Sequence, residues 1–385
     1  MNEGKRLTKG SNLALSLALG FSISACSADS MAPTESISSQ QHRFQVDTVV
    51  EGLEHPWGLT FMPDGRRLVP ERPGRLRIID NDRLFPEVIT GLPDNIAAQG
   101  QGGLLDVALH PEFTENRLLF LSYAGSGSGG AGTEVARGRL DGMALRDVEV
   151  IFRALPKSGG GRHFGSRLLF TPQGHLYISL GDRGHRPNGQ DLTTHAGSLI
   201  RLYPDGTVPK DNPFVGRADA LPEIYTYGNR NIQGMALRPA DNSVWTQEHG
   251  PRGGDEVNRM KAGANYGWPE VTHGRNYSGT TITDETSRPG MEDPVYTWVP
   301  SRAPSGMMFY DGDVFPAWRG DLFVGALKDR LLSRLEMDGD QVVAEERLLQ
   351  DRIGRVRDVR QGPDGLIYLL TDAADGKLVR LRPAD

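Results

Sequence analysis

A single histidine in a glycine-rich segment is the first candidate for chemistry. His163 lies in SGGGRHFGSR, which runs from Ser158 to Arg167. Histidine titrates near neutral pH and is the commonest general base, while glycines allow a ligand to approach the backbone. Asp182 ends the next apolar run, so its carboxylate is expected to accept a hydrogen bond from the imidazole. A lone loop histidine is more often structural, so this pair does not by itself establish catalysis.

Positively charged residues recur beside three later apolar runs. Arg230 and Asn231 lie in YGNRNIQG, Lys328 lies in GALKD, and Arg355 and Arg357 lie in RVRDV. Residues two apart in a strand face the same side, so the last two are expected to point together. Guanidinium groups suit carboxylates and phosphates. If the ends of these apolar runs lie close together in the fold, the cluster predicts a binding site for an anionic ligand. Any one of these charges by itself is equally consistent with a solvent-exposed side chain.

A third segment offers oxygen ligands. EHGPRGGDE begins at Glu248, and NYGWP follows downstream from Asn265. Carboxylates in a glycine-rich loop with free carbonyls suit Ca²⁺, which takes roughly six to eight oxygen ligands. The sequence here differs from an EF-hand loop and has no accompanying His/Cys cluster for zinc. It therefore predicts a site for a hard cation.

The elements that must position these residues are repeated along the chain. An apolar pair, a Pro or Asp, a tight turn and an apolar strand recur as one phrase, which begins at Leu59, Val107, Leu168, Met235, Met307 and Val359. Each copy has the signal of a β-hairpin. The copies are spaced by about 60 residues, a period typical of large repeated units.

Repeats of this size predict an all-β fold, a six-bladed β-propeller with four-stranded antiparallel blades over residues 44–385. The 48 glycines and 25 prolines are consistent with many tight turns. Blades converge on one axis, so their loops are expected to bring His163 and the cationic residues to one mouth. A β-sandwich array or two all-β domains is the alternative, which the even spacing and the absence of a linker disfavour.

The amino terminus predicts export. Three basic residues precede the apolar run 13–23, which is too short for a bilayer that needs about 20 residues. The sequence Ile23-Ser24-Ala25-Cys26 resembles a bacterial lipobox. It predicts a lipoprotein-type signal peptide at 1–25, a lipid anchor on Cys26, a polar tether at 26–43, and a periplasmic protein held to the outer membrane. Ordinary signal cleavage, with Cys26 discarded or free, is the alternative.

Composition excludes several classes of protein. The net charge is −6, and 37% of the residues are hydrophobic. This balance argues against a disordered chain and against a nucleic-acid binder. Cys26 is the only cysteine, so neither a disulfide framework nor a thiolate metal cluster is possible. The sequence does not separate a monomer from a dimer.

Seven motifs together resemble one family of enzymes. They are GQGGLLDVALHPEF, GRHFGSRLLF with GDRG, YGNRNIQG, EHGPRGGDE, NYGWP, GALKD and RVRDV. They occur in the order found in soluble quinoprotein glucose and aldose sugar dehydrogenases, and most resemble the bacterial aldose sugar dehydrogenase branch. The resemblance covers about residues 44–383. It implies a six-bladed propeller that uses pyrroloquinoline quinone (PQQ) and Ca²⁺ to oxidise aldoses to lactones, with an external electron acceptor that it does not specify.

The resemblance also implies roles for individual residues. His163 is similar to the base that takes the anomeric hydroxyl proton, Asp182 to the carboxylate that supports it, and Arg230 to the group that stabilises charge on the quinone oxygen. Quinone contacts are implied for Gln101, Arg230, Asn231, Lys328, Arg355 and Arg357. Calcium ligands are implied for the carbonyls of Gly250 and Pro251, and a further ion for Glu256 and the Tyr266 carbonyl.

The sequence departs from the better-known glucose dehydrogenases around the expected sugar site. Arg162 stands where they carry an acidic residue, His249 stands where they carry Gln, and the loop 184–196 is shorter. These differences predict a range of aldoses broader than glucose. A Ca²⁺-dependent lactonase or esterase and a non-catalytic binding propeller remain the alternative functions.

Overall fold

Six antiparallel sheets follow one another along the part of the chain that the computed structural model describes, residues 35–384. Blade 1 contains β3 (Thr60–Phe61), β4 (Arg67–Glu71), β5 (Arg75–Asp80) and β6 (Arg83–Ile89). Blade 2 contains β7 (Leu104–Leu109), β8 (Leu118–Gly127), β9 (Gly130–Asp141) and β10 (Ala144–Arg153). Blade 3 contains β11 (Leu168–Phe170), β12 (Leu176–Ser179), β13 (Leu199–Leu202) and β14 (Ile224–Thr226).

The remaining blades repeat this plan. Blade 4 contains β15 (Ile232–Leu237), β16 (Val244–Glu248), β17 (Asp255–Arg259) and β18 (Tyr296–Trp298). Blade 5 contains β19 (Pro304–Phe309), β20 (Leu322–Ala326), β21 (Leu331–Asp338) and β22 (Gln341–Leu348). Blade 6 contains β23 (Val356–Gln361), β24 (Ile367–Thr371) and β25 (Gly376–Pro383), completed by β2 (Arg43–Leu53) and β1 (Ile37–Ser38). The helical elements are α1 (Phe113–Asn116) and the 3₁₀ turns Arg186–Gln190 and Pro316–Trp318. The predicted six-bladed propeller is confirmed.

Blade 6 is closed by strands from the two ends of the described chain. Strand β2 pairs antiparallel with β25, from Phe44 opposite Pro383 to Leu53 opposite Gly376. Strand β1 in turn pairs with β2, with Ile37 opposite Phe44. Paired structure thus begins before residue 44, within the segment that the sequence assigned to the tether. This pairing completes the last blade with strands from the beginning of the described chain, in an architecture that leaves only short, protected sheet edges.

Hydrophobic cores fill the spaces between neighbouring blades. Inner and middle strands are buried along most of their length, as in β8 (LLFLSYAGSG), whereas half of the residues of the outer strand β10 are exposed. Buried pairs represent the six spaces: Leu68 and Leu121, Phe120 and Ile178, Leu199 and Met235, Trp245 and Val324, Phe323 and Val359, Leu370 and Val69. Burial of each such side chain stabilises the fold by about 1.5–3 kcal/mol.

A buried ionic cluster joins the inner strands at the axis. The Arg167 guanidinium lies 3.4 Å from Asp106 Oδ1 and 3.1 Å from Asp358 Oδ1. Its Nε donates to the Gln233 carbonyl at 2.8 Å, and it lies 4.1 Å from the centre of the Trp57 ring. These residues come from or lie next to the inner strands of five blades. The cluster therefore fixes the positions of the inner strands that support the loops at one end of the ring.

No helix among residues 35–384 is both long and apolar enough to cross a bilayer. The predicted signal peptide at 1–25 and the predicted anchor, Cys26, lie outside the described residues, as does the first half of the tether, residues 26–34.

Candidate active site

The loops at one end of the ring surround a cavity of about 300 Å³. We call this end the mouth; it is where the inner strand of each blade begins and the second strand ends. Residues from several blades line the cavity, including Trp57, Gln101, Phe164, Gln233, Arg355 and Arg357. Three of the expected site residues, Gln101, Arg355 and Arg357, therefore share one cavity although they are far apart in the chain.

The imidazole of His163 is hydrogen-bonded to a buried carboxylate. Its Nδ1 lies 2.6 Å from Asp182 Oδ1. The same carboxylate accepts hydrogen bonds from the Gly184 amide at 2.7 Å and from Trp268 Nε1, on its other oxygen, at 2.9 Å. An acceptor-only carboxylate fixes the tautomer that carries the proton on Nδ1. His163 Nε2 then carries the lone pair and has no partner among the described residues.

Burial and nearby charges shift both pKa values of this dyad. Burial is the largest effect on His163 and lowers its pKa, in opposition to the hydrogen bond to Asp182, while the charges of Arg230 and Arg162 lower it further. Burial alone would raise the pKa of Asp182, but the hydrogen bond from His163 and other contacts outweigh it and lower the pKa. The dyad is thus a neutral imidazole beside an ionised carboxylate at neutral pH, which is the state a general base requires.

The peptide that joins Arg162 to His163 is held at both ends. His163 has a left-handed backbone, with φ of 56°, which costs free energy for a residue with a side chain. Its N–H donates to Gln101 Oε1 at 2.8 Å, and the Arg162 carbonyl accepts a hydrogen bond from Arg183 Nη1. Arg183 also donates to the Gly160 carbonyl and lies over the Phe164 ring at 3.5 Å. This clamp determines where the imidazole points.

Arg230 lies beside the dyad and reaches toward the glycine-rich loop after β16. Its Nη1 donates to the carbonyls of His249 at 2.9 Å and Gly250 at 3.0 Å, and its guanidinium lies 5.4 Å from the centre of the Trp268 ring. Beneath it, the fully buried Glu248 accepts hydrogen bonds from the backbone amides of residues 230 and 231. The backbone of residues 230 and 231 is thus held rigidly by Glu248, and the charge of Arg230 is directed to the mouth.

Asn231 connects this backbone segment to the loop that carries His163. Its Oδ1 accepts a hydrogen bond from the Gly165 amide at 3.1 Å, and the Arg230 carbonyl accepts from the Asp182 amide at 2.8 Å. Gly181 and Asn231 form an antiparallel bridge. Blades 3 and 4 therefore present His163, Asp182, Arg230 and Asn231 as one connected group.

The two arginines of RVRDV share one carboxylate. Asp372 Oδ2 lies 3.0 Å from Arg355 Nη2 and 3.3 Å from Arg357 Nη2, so both point to the same face as expected. Burial lowers the pKa of Arg357 to about 10, and Asp372 opposes the shift. Burial by itself would raise the pKa of Asp372, but these arginines hold it well below its usual range. Two guanidiniums against one carboxylate leave positive charge for a ligand.

Lys328 lies farther out than the other expected quinone contacts. Its side chain is 58% exposed, and its Nζ donates to the Ser301 carbonyl at 2.8 Å. It lies at the end of β20, next to the cavity-lining residue Leu327. The structure thus places it at the rim rather than in the wall.

The fit to a planar tricarboxylate such as PQQ rests on unpaired donors in the cavity wall. Arg357 Nε is buried and has no hydrogen-bond partner among the described residues. Carboxylates of a ligand would satisfy this donor and the free edges of Arg355, because charge-assisted bonds of this type are strong. The cavity volume and donor chemistry therefore fit the cofactor that the resemblance implies.

The fit to calcium rests on backbone carbonyls and buried acids. No group of three or more His, Cys, Asp or Glu side chains within residues 35–384 is arranged to hold a metal, so carbonyls must contribute. The carbonyl of Gly250 is near the mouth and accepts from Arg230, and its second lone pair remains for a cation. Pro251 is buried in the same turn.

Glu256 and Tyr266 lie deeper, around a cavity of about 10 Å³ that Glu248 also lines. Glu256 lies opposite Glu248 across β16 and β17. Burial, followed by the neighbouring carboxylate of Glu248, raises the pKa of Glu256 well above its usual value. Two buried acids facing an ion-sized space fit a cation that would offset their repulsion.

Comparison with known proteins assigns the family. The family model described as "Glucose / Sorbosone dehydrogenase" matches residues 53–380. The chain belongs to the glucose/sorbosone dehydrogenase family. It is therefore a member of an oxidoreductase family, as the motifs indicated, and that prediction is confirmed.

Individual members of the family resemble this chain over most of its length. Aldose sugar dehydrogenase YliI of Escherichia coli K12 is 46% identical over 344 residues, which are 88% of this chain and 92% of the relative. The apo-form crystal structure of the soluble aldose sugar dehydrogenase of Escherichia coli superposes with a TM-score of 0.86 at 44% identity, covering 89% of this chain and all of that one. The PQQ-bound aldose sugar dehydrogenase of Streptomyces coelicolor superposes with a TM-score of 0.73 at 28% identity, covering 88% and 98%.

Two residues of this family member's site escaped prediction because their partners are distant in sequence. Trp268 binds Asp182 across 86 residues, and no local pattern links NYGWP to the dyad. Arg183 lies within the quoted GDRG, but its role as a clamp depends on a loop some twenty residues earlier. Only a three-dimensional arrangement reveals either contact.

Proposed function

We propose that this chain oxidises aldoses to lactones with PQQ bound in the mouth. The single observation that carries the proposal is that a polarised base, His163, is hydrogen-bonded through its backbone N–H to the side chain of Gln101, which lines the same cavity as Arg355 and Arg357. Membership of the glucose/sorbosone dehydrogenase family and the PQQ-bound relative support it. When bound, PQQ would accept the hydride from C1 of the sugar, and Ca²⁺ at the Gly250 and Pro251 carbonyls would polarise the accepting carbonyl.

His163 would act as the general base. With Nδ1 donating to Asp182, Nε2 is free to take the proton from the anomeric hydroxyl as the C1–H bond breaks. Asp182 then stabilises the imidazolium and keeps the ring oriented. The clamp from Gln101 and Arg183 sets the distance of the base from the sugar.

Arg230 would stabilise negative charge that develops opposite the base. Its guanidinium is fixed by carbonyl hydrogen bonds and by Trp268, so little reorganisation is needed during the reaction. Gln101, Asn231, Lys328, Arg355 and Arg357 would bind the cofactor's carboxylates and oxygens. Glu256 and the Tyr266 carbonyl would hold a second, structural calcium ion.

Residues 1–25 would direct export, and Cys26 would carry a lipid that keeps the enzyme at the outer membrane, facing the periplasm. The lipobox-like sequence supports this part of the proposal. Metabolic labelling with a radioactive fatty acid tests it, since labelling of the wild type and its loss in Cys26→Ser are expected, and an unlabelled wild type would refute it.

Reconstitution tests the proposed reaction. Apoprotein mixed with Ca²⁺ is expected to reduce a dye in the presence of an aldose only after PQQ is added. Arg357→Gln should weaken PQQ binding, measured by the quenching of tryptophan fluorescence, whereas the exposed Arg146→Gln at the opposite end should not. Oxidation of sugar without PQQ, or lactone hydrolysis without PQQ, would contradict the proposal.

A further inference from the structure

Arginines without carboxylate partners form a belt around the mouth. Some exposed arginines elsewhere pair with neighbouring acids, as Arg217 does with Asp219 and Arg288 with Glu285, and others among the described residues, such as Arg146, lie unpaired and apart from one another. Within residues 35–384, no carboxylate oxygen lies within 4.0 Å of the guanidiniums of the belt. Its members are Arg72, Arg162, Arg186, Arg252 and Arg275. An overall net charge of −6 thus conceals a local excess of positive charge.

Contacts with and between backbone segments place Arg72 and Arg162 on one surface. Arg72 donates to the carbonyls of residues 100 and 102, and Gln101 donates its amide to the Gly161 carbonyl at 2.8 Å, next to Arg162. Arg162 lies so close to Gly184 that a Cβ on that glycine would overlap its guanidinium.

The belt continues on the other side of the mouth. Arg186 donates to Asn276, and the Arg252 amide donates to the Arg275 carbonyl at 3.1 Å. Asn276 precedes Tyr277, which is 73% exposed and lines the cavity. Arg72, at the other end of the belt, also lines the cavity, so the belt borders the cavity through Arg72 and Tyr277.

The carboxylates at the mouth are already committed. Asp182 is bound to His163, and Asp372 is bound to Arg355 and Arg357. Asp255 accepts hydrogen bonds from the Gly250 amide and from Ser301. None of them neutralises the belt. A ligand with its own negative charge would do so.

We propose that the preferred substrates are aldoses that carry an acidic group, such as hexuronic acids or aldose phosphates, and that Arg162 binds that group. This inference rests on the proposed sugar oxidation. Arg162 is next to the base in the chain, and its guanidinium lies over Gly184, whose amide donates to Asp182. The acidic group of a sugar whose C1 hydroxyl faces His163 can therefore reach Arg162, and none of its guanidinium N–H groups donates to a described residue.

The chemistry at C1 is the same as for a neutral aldose. The C1–H bond breaks, its electron pair and hydrogen leave as hydride to the quinone, the hydroxyl proton goes to His163, and C1=O forms. The quinone is reduced by two electrons and the sugar is oxidised by two. A hexuronate would give the lactone that hydrolyses to a dicarboxylic sugar acid.

Matched sugars test the inference with PQQ- and Ca²⁺-loaded enzyme and an uncharged dye. Glucuronate and glucose share their configuration near C1, so the ratio of their kcat/KM values isolates the effect of the carboxylate of glucuronate. The ratio should exceed about 10 at low salt, since charge-assisted bonds add about 1.5 kcal/mol or more. It should fall as salt rises from about 0.02 to 0.5 M because exposed charges are screened.

Variants assign the effect to one residue. Arg162→Gln should lower the ratio about tenfold and Arg162→Lys should lower it less, whereas Arg146→Gln should leave it unchanged. Loss of the Arg162 charge also shifts the pKa of His163, but this affects both sugars and cancels in the ratio. An equal kcat/KM for the two sugars in the wild type, or an unchanged ratio in Arg162→Gln, would overturn this inference and leave the proposed sugar oxidation standing. If neither sugar reduced the dye, the proposed function would fail with it.

Discussion

At the scale of single residues, the proposed reaction depends on how Asp182 prepares His163. Asp182 fixes the tautomer through Nδ1 and partly offsets the cost of burying a charged imidazole. Trp268 and the Gly184 amide hold the carboxylate from its other sides. A neutral amide in place of the carboxylate would preserve shape and lose both effects.

Asp182→Asn is therefore expected to lower kcat for an aldose by at least about 100-fold, since correctly placed general-base catalysis contributes about that much or more. The affinity for PQQ should change little because Asp182 does not line the cavity. Steady-state kinetics with a fluorescence titration of PQQ checks this. Retention of kcat would show that the dyad is not the base.

The pH dependence follows from the direction of the His163 shift. Burial lowers the pKa of His163 below 6.5, so the neutral, basic form persists to more acidic pH than a free histidine would allow. The acidic limb of kcat/KM should therefore have its midpoint below pH 6.5. Removal of the Arg230 charge in Arg230→Gln should move that midpoint upward, measured in the remaining activity. A midpoint above 6.5 in the wild type would contradict the assignment.

At the scale of elements, the loop that carries His163 depends on a clamp between blades. Gln101 lies in the loop before β7 and Arg183 in the loop after β12, and both bind the peptide that joins Arg162 to His163. The left-handed backbone of His163 is thus imposed by neighbours. Such strain commonly marks a functional loop.

Arg183→Met should lower kcat about 10-fold or more while KM and PQQ affinity change less, because the base shifts but the cavity wall does not. Arg183→Lys should restore part of kcat, since an ammonium can still donate to a carbonyl. A merely structural role would instead lower Tm and all kinetic constants together, so thermal unfolding is measured alongside. Equal losses in the Met and Lys variants would argue against the clamp.

At the scale of the whole molecule, closure of the ring keeps the blades around one axis. Phe44 of β2 is fully buried, and its ring lies 5.8 Å from that of Trp318, so the strand that closes blade 6 is also part of its core. The loops at the mouth converge only if this closure holds.

Phe44→Ala should lower the free energy of unfolding by about 3–5 kcal/mol, as large aromatic truncations in cores do. Phe85→Ala provides a control, because Phe85 is 40% exposed on the outer strand of blade 1. Urea unfolding measures both. Similar losses in the two variants would show that blade closure does not carry the expected stability.

The sequence predicts the ring because the repeat recurs in every blade, and it predicts the shared face of Arg355 and Arg357 because strand periodicity is local. Closure by β2 was not predicted, since β2 lacks the repeat phrase and pairs with a strand more than 300 residues away. The roles of Trp268 and Arg183 were also missed, because contacts between different loops leave no pattern along the chain. The structure brings Gln101, Asp182 and Asn231 together around His163, and their roles there stay predictions.

The most direct test of the central claim is the rate at which an aldose reduces bound PQQ in a single turnover without an external acceptor, followed by absorption. Wild-type protein loaded with PQQ and Ca²⁺ should show rapid sugar-dependent reduction. His163→Gln should bind PQQ with similar affinity and reduce it at least about 100-fold more slowly. Reduction at the same rate in His163→Gln, or no change on adding sugar to wild-type protein that holds PQQ, would contradict the account.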